Sequence, residues 1–410
     1  MMAEARIDPG ELPRSAAVVV IGGGVNGAST AFQLTRRGVR DVVLLERRQL
    51  GAGASGKSGA LVRCHYTNAH EARLTHESLH VFRHWDEEVG YGSPGFEAVG
   101  FVQVVAPEDE ENLRANVAEH RAIGIDTTVV NAADLREIEP LMRTDNLTVA
   151  AFEPHSGFAD PNATLYGFAA AAQAGGATIC TDTEATAILR EGDRVIGVET
   201  SRGRIATDTV VLAGGAWADR LLAPLGLDFG LVPRRVQVVV FRRPAAVDPV
   251  RRHRVVIDAS GAHAWFRPEG ESGTLVGGES GVDGTDPDAY AESVDPTYVD
   301  LARSLLANRF PAYRAATMRG GWAGMIMVSP DSHPIIDKIP SVRGLFAMAG
   351  DSGTSFKTSP AIGICLAEWV VDGEPRLMDL TPFRAVRFAE GKPWIDVHAY
   401  QDSRRATVSR

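Results

Sequence analysis

Cysteine is scarce in this chain of 410 residues. The three present, Cys64, Cys180 and Cys365, are odd in number and show no CxxC spacing. That argues against a disulfide framework or a zinc site and fits a reducing, cytoplasmic compartment. No apolar run approaches the length needed to span a bilayer. The opening fifteen residues carry acids and two prolines, with neither the basic start nor the apolar core of a signal peptide. Positive charge is not in excess: a net charge of −10 argues against a nucleic-acid partner. There is no GxSxG, no Walker lysine, no internal repeat and no low-complexity linker. Hydrophobic residues at 44% and charged residues at 23% suit a soluble globular protein, and the length suits two domains.

Against those absences stand residues 17–46, AVVVIGGGVNGASTAFQLTRRGVRDVVLLE. An apolar run meets Gly22-x-Gly24-x-x-Gly27. A helical pattern follows, with Ala31, Phe32 and Leu34, and then a second apolar run ends at Glu46. Strand, glycine turn, helix, strand and acid in that order read as a dinucleotide-binding βαβ unit. Gly22 permits the tight turn, Gly24 a close backbone approach to pyrophosphate, and Gly27 close helix–strand packing. The helix N-terminus offers unpaired N–H groups to phosphate. Glu46 stands where a carboxylate accepts ribose hydroxyls. The acid favours a 2′-hydroxyl over a 2′-phosphate, but it does not separate NAD from FAD.

Farther along, residues 70–89 space Leu74, Leu79, Phe82 and Trp85 as an amphipathic helix. Residues 100–105 and 126–130 read as strands, and 108–123, 164–174 and 298–309 as helices. From Ala177 the pattern turns to strands, with Gly192-Asp193 as a hairpin turn. Residues 232–278 read as short, largely antiparallel strands. The strand GLFAMAG, a Gly/Ser turn and a helix opening at Ser359-Pro360 close the pattern. A βαβ start, a β-rich middle and a closing strand–helix imply a nucleotide domain to which the chain returns.

Three further stretches carry candidate chemistry. In GAGASGKSGALVRCHY (51–66) small residues allow close backbone approach, and Ser55, Lys57 and Ser58 can meet phosphate or ribityl oxygens. An ordinary flexible loop is the alternative. Arg63 ends that run as a candidate carboxylate fork, the alternative being a surface salt bridge. In AGDSGTSFKTSPAIGICLAEWV (349–370) a second turn precedes a helix, and Lys357 sits beside it. In VVLAGGAWADRLL (210–222), Ala213 and Gly214 permit contact with a flat ligand. His76, His80 and His84 recur at helical spacing and read as a partly exposed face; no metal site is expected.

With these pieces in place, the chain resembles the D-amino-acid-oxidase-type FAD-dependent oxidoreductases, sarcosine oxidases and their heterotetrameric β subunits above all, with glycine oxidase further off. The most specific stretch is WAGMIMVSPDSHPIIDKIPSVRGLFAMAGDSGTSFKTSPAIGICLAE. The resemblance implies an α/β (α+β) protein. A discontinuous Rossmann-like FAD-binding domain would occupy 16–92, 148–230 and 324–385. A substrate domain on a largely antiparallel sheet would occupy 93–147 and 231–323, with 1–15 and 386–410 as tails. It implies FAD rather than NAD. No cysteine lies near Gly324, where such oxidases attach flavin, so the FAD would be noncovalent. Expected cofactor contacts are Gly22, Gly24, Asn26 and Gly27, then Glu46 and Arg47, then Ser55, Lys57, Ser58 and Leu61. Ala185, Ala213, Gly214, Trp217 and Gly324 follow, and the last turn adds Gly350, Asp351, Gly353, Thr354, Ser355, Phe356 and Lys357.

The resemblance also implies that Arg63 and Lys357 grip a substrate carboxylate, with Glu279 and His263 as candidates for the base. The expected activity is FAD-dependent oxidation of the C–N bond of a small amino acid or N-alkyl amino acid, giving an imine that hydrolyses. Leu275 stands where such oxidases place a lysine that promotes reaction with O2. O2 or another electron acceptor therefore stays open, as do a homo-oligomer and a partner subunit. A flavin dehydrogenase of a 2-hydroxy acid and a β-type subunit of a multi-chain oxidase are the competing readings.

Overall fold

The computed structural model describes residues 10–247, 252–279 and 281–400, so 1–9 and 401–410, the outer parts of the expected tails, lie outside the described residues. A six-stranded sheet carries the opening βαβ unit. Its order is Ile335–Lys338, Leu345–Ala349, Val210–Leu212, Val18–Ile21, Val42–Leu45, Thr178–Cys180. Neighbours run parallel except for the antiparallel edge strand Ile335–Lys338. Period-two alternation sets the layers. Val18 and Val20 pack into a core with helices Val25–Arg36, Pro161–Ala174 and Ser359–Asp372. Val19 and Ile21 point the other way, onto Ile188, Val195 and Ile205 of a three-stranded antiparallel sheet. Helices Val25–Arg36 and Ser359–Asp372 cross where a Cβ on Gly363 would lie 2.2 Å from Ser29 Oγ. Only glycine fits there.

A nine-stranded sheet forms the other half. Strands Phe101–Val105, Thr128–Asn131 and Val149–Glu153 join Val232–Arg242, Val255–Ala259, Ala264–Glu269, Gly273–Gly278, Val282–Asp283 and Thr317–Val328. All its pairings are antiparallel except Val255–Ala259 with Phe101–Val105. Helix Pro296–Arg309 covers one face, where Ala302 and Leu306 meet Phe241, Phe266 and Val276. Ile257, Trp265 and Gly277 belong to the face that looks onto the site.

Some elements differ from expectation. The helix read at 70–89 ends at Arg83 and restarts as Trp85–Glu88. At the break His84 Nδ1 bonds the His80 carbonyl at 2.9 Å, a local competitor for the helical ladder. The helix read from 164 begins at Pro161, because Asp160 accepts from the Ala163 N–H at 2.8 Å and Pro161 fits the first turn. Strand Val149–Glu153 lies in the nine-stranded sheet rather than the six-stranded one. Residues 386–400 fold back onto the protein: Trp394 stacks on His333 with centroids 4.5 Å apart, and Tyr400 is 2% exposed. No helix among the described residues is long and apolar enough to cross a membrane.

Candidate functional site

Two cavities open at the C-terminal ends of the parallel strands, beside Val18–Ile21 where the strand order reverses direction. Ligands of open α/β sheets bind at such switch points. The first holds about 1510 Å³ of open space and is lined by Gly22, Gly24, Asn26, Glu46, Arg47, Ala185, Ala213, Gly214, Trp217 and Gly350. The second holds about 1220 Å³ and is lined by Lys57, Ser58, Leu61, Arg63, Glu279, Gly324, Gly353, Thr354, Phe356 and Lys357. Ser55, Asp351 and Ser355 line both, which makes one continuous cleft. Every residue expected at the site lines one cavity or the other except Gly27 and His263.

The first cavity is shaped by what glycine lacks. A Cβ on Gly22 (φ +114°) would sit 2.2 Å from the Ala213 carbonyl oxygen, and one on Gly27 only 1.9 Å from the Gly22 carbonyl oxygen. Gly27 therefore serves helix–strand packing behind the cavity wall. Glu46 accepts from the Gly23 N–H at 2.9 Å and the Arg48 N–H at 2.8 Å. Burial raises its carboxyl above the ordinary value. Arg47 stacks on the Trp217 ring at 4.3 Å. Asn26 Nδ2 donates to Ser355 Oγ at 2.9 Å, while its Oδ1 is buried and makes no hydrogen bond. A long cleft with a helix N-terminus, a carboxylate and an orphaned amide oxygen matches an ADP-bearing cofactor.

In the second cavity the two expected cations converge. Arg63 Cζ lies 4.5 Å and Lys357 Nζ 5.1 Å from the centroid of the Tyr66 ring. Both are buried, at 3% and 7% exposure, which is where a carboxylate partner gains most from charge-assisted bonds. Lys357 also donates to the Thr354 carbonyl at 3.1 Å. Behind Arg63, Glu153 is fully buried and accepts from the Cys64 N–H at 2.9 Å and Ser156 Oγ at 2.6 Å. Burial pushes its carboxyl up, and the Arg63 charge opposes that rise. His120 Nε2 bonds the Tyr66 carbonyl at 2.9 Å, which fixes the base of the aromatic platform.

Glu279 lines the cavity 3.8 Å from Arg234, and burial raises its carboxyl. His263 stands on the turn before strand Ala264–Glu269 (φ +43°) and meets Glu279 through its carbonyl, which accepts the Glu279 N–H at 3.0 Å. Leu275 is fully buried and outside the lining; Gly277, two residues on, is at the wall. A Cβ on Gly277 would lie 2.2 Å from the Trp265 indole, and one on Gly59 2.4 Å from the same indole. Trp265 thus forms a wall that sequence reading missed. So does Trp322, whose Nε1 donates to the Lys57 carbonyl at 2.8 Å. Trp322 sits in strand Thr317–Val328, whose three glycines mask the strand pattern.

A family model described as FAD dependent oxidoreductase (DAO) matches residues 17–369. The chain belongs to that family. Its members named among the similar proteins bear out the oxidoreductase reading and the FAD expectation. Sarcosine oxidase subunit beta from Arthrobacter sp is 26% identical over 95% of this chain and 94% of its own length. Human mitochondrial sarcosine dehydrogenase is 28% identical over 89% of this chain, which spans only 40% of that relative. The crystal structure of L-proline dehydrogenase from P. horikoshii superposes with a TM-score of 0.86 at 26% identity, covering 93% of this chain and all of that one.

Proposed function

We propose that the protein oxidises the C–N bond of a small amino acid or N-alkyl amino acid. The observation that carries this reading is the convergence of Arg63 and Lys357 on Tyr66, in a cavity continuous with the dinucleotide cleft. FAD, held noncovalently, supplies the hydride acceptor. Arg63 and Lys357 bind the substrate carboxylate and thereby fix the adjoining carbon; such placement supplies much of the rate. Trp265 excludes water from that end. Glu279, on the cavity wall, takes the proton that the bound amine must lose. His263 stands beside Glu279 but does not line the cavity, and it takes no part in that role.

A dehydrogenase, passing electrons to an acceptor other than O2, is the second reading. It is favoured by the strand Gly273–Gly278, which carries no lysine. Anaerobic mixing with N-methyl, cyclic secondary and primary amino acids, and with 2-hydroxy acids, tests both through loss of flavin absorbance. Bleaching by an amino acid is expected. Fast reoxidation in air would mark an oxidase and slow reoxidation a dehydrogenase. Bleaching by hydroxy acids alone would overturn the C–N reading. Bleaching only after a partner chain is added would mark a subunit of a larger oxidase.

A further inference from the structure

Residues 284–295, between strand Val282–Asp283 and helix Pro296–Arg309, contain no helix or strand, yet bond to residues that line both cavities. The segment is anchored at each end. The Gly284 N–H donates to the Pro233 carbonyl at 2.9 Å. Buried Arg235 donates to the Ala291 and Ser293 carbonyls at 3.0 and 2.7 Å and to the Asp295 carboxylate at 2.8 Å. Between these anchors Asp288 accepts from Trp217 Nε1 at 2.8 Å and from the Arg47 and Arg220 guanidinium groups. Arg47 follows strand Val42–Leu45, while Trp217 and Arg220 follow Val210–Leu212. Those strands flank Val18–Ile21 on opposite sides. One carboxylate therefore ties together the two lips of the dinucleotide cleft. Farther along, the Tyr290 hydroxyl and the Glu292 carboxylate hold Lys57 Nζ at 2.7 and 3.0 Å, at the wall of the second cavity.

We propose that residues 284–295 form a strap that opens for FAD to enter or leave, with Asp288 as its latch. Removing the carboxylate takes away the anion that joins Arg47 to Arg220; the lips keep only the stacking of Arg47 on Trp217, and Arg220 keeps Asp286. The same donors hold the Asp288 carboxyl well below the ordinary carboxylate range, so the latch is charged at any physiological pH. This inference rests on the FAD site alone and not on which substrate is oxidised.

The test is FAD release from the diluted holoenzyme, followed by the rise in flavin fluorescence. Asp288→Ala is expected to release FAD about tenfold faster or more, with the melting temperature of the apoprotein unchanged. Release within about twofold of wild type would overturn the latch. So would an equal fall in melting temperature with and without FAD, since Asp288 would then hold the fold rather than the cofactor. A second measurement needs no variant. Chymotrypsin should cut after Tyr290 faster in apoprotein than in holoprotein, and equal cutting would overturn the strap. Neither readout requires turnover, so both stand even if the amine-oxidation reading fails.

Discussion

The two cavities are built from different materials. The dinucleotide cleft is mostly backbone: Gly22, Gly24, Gly214 and Gly350 matter for the space they leave, and each lies just beyond a parallel strand. The neighbouring cavity is mostly side chain. Arg63, Trp265, Glu279, Trp322 and Lys357 come from five separate stretches of chain and meet only because a nine-stranded sheet stands opposite the βαβ unit. A site made of backbone tolerates almost no added atom. A site made of side chains loses function one interaction at a time.

The largest effect is expected from Gly27→Val, which places carbon atoms inside the space of the Gly22 carbonyl. It should cost on the order of 3 kcal/mol or more and abolish FAD retention, read from melting temperature and flavin content. In the second cavity, Arg63→Ala and Lys357→Ala should leave flavin content intact. Each should weaken binding of an unreactive carboxylate by about 2–5 kcal/mol, measured by perturbation of the flavin spectrum. If either variant instead sheds FAD, the separation of the two regions fails.

Glu279 sharpens the comparison through pH. Burial raises its carboxyl, so its base form is reached at a higher pH than that of an ordinary carboxylate. Wild-type kcat/KM should climb with pH as that proton leaves. Glu279→Gln should lower the plateau and flatten this limb; an unchanged profile would remove Glu279 as the base.

The smallest effect per group and per pH unit concerns stability. Burial lowers His120 and His253 to about 4, below the 6.5 of an exposed imidazole, and lowers buried His65 as well. The folded state binds fewer protons at these sites than the unfolded chain. Their contribution is complete above about pH 6.5 and is lost as pH falls toward 4, at roughly 1 kcal/mol per pH unit per group. Thermal melts between those limits should show the decline, and His120→Asn should reduce its slope.

The sequence made the first region readable because spacing alone carries it: strand, glycine turn, helix, strand and Glu46 lie within thirty residues. Lys357 was readable for the same reason, through a turn and a helix start. Arg63 was placed by its run of neighbours and by resemblance. Trp265, Glu153 and Asp288 were not readable. Trp265 gains its role from Gly59, far away in the chain, and Glu153 from packing behind Arg63. Asp288 sits in a stretch without periodicity, and only the strand order shows which lips it joins. The segment 386–400 falls among the expected tails through the resemblance alone. Trp394 and Tyr400 are the residues that dock it, through His333 and His65.

The central claim is that a carboxylate clamp stands beside a flavin. The most direct test is anaerobic reduction of the wild-type protein by a small N-alkyl amino acid, set beside the amine that lacks its carboxyl group. The amino acid should bleach the flavin about 100-fold faster or more, the equivalent of roughly 2.7 kcal/mol of carboxylate recognition. Equal rates for the two compounds would contradict it.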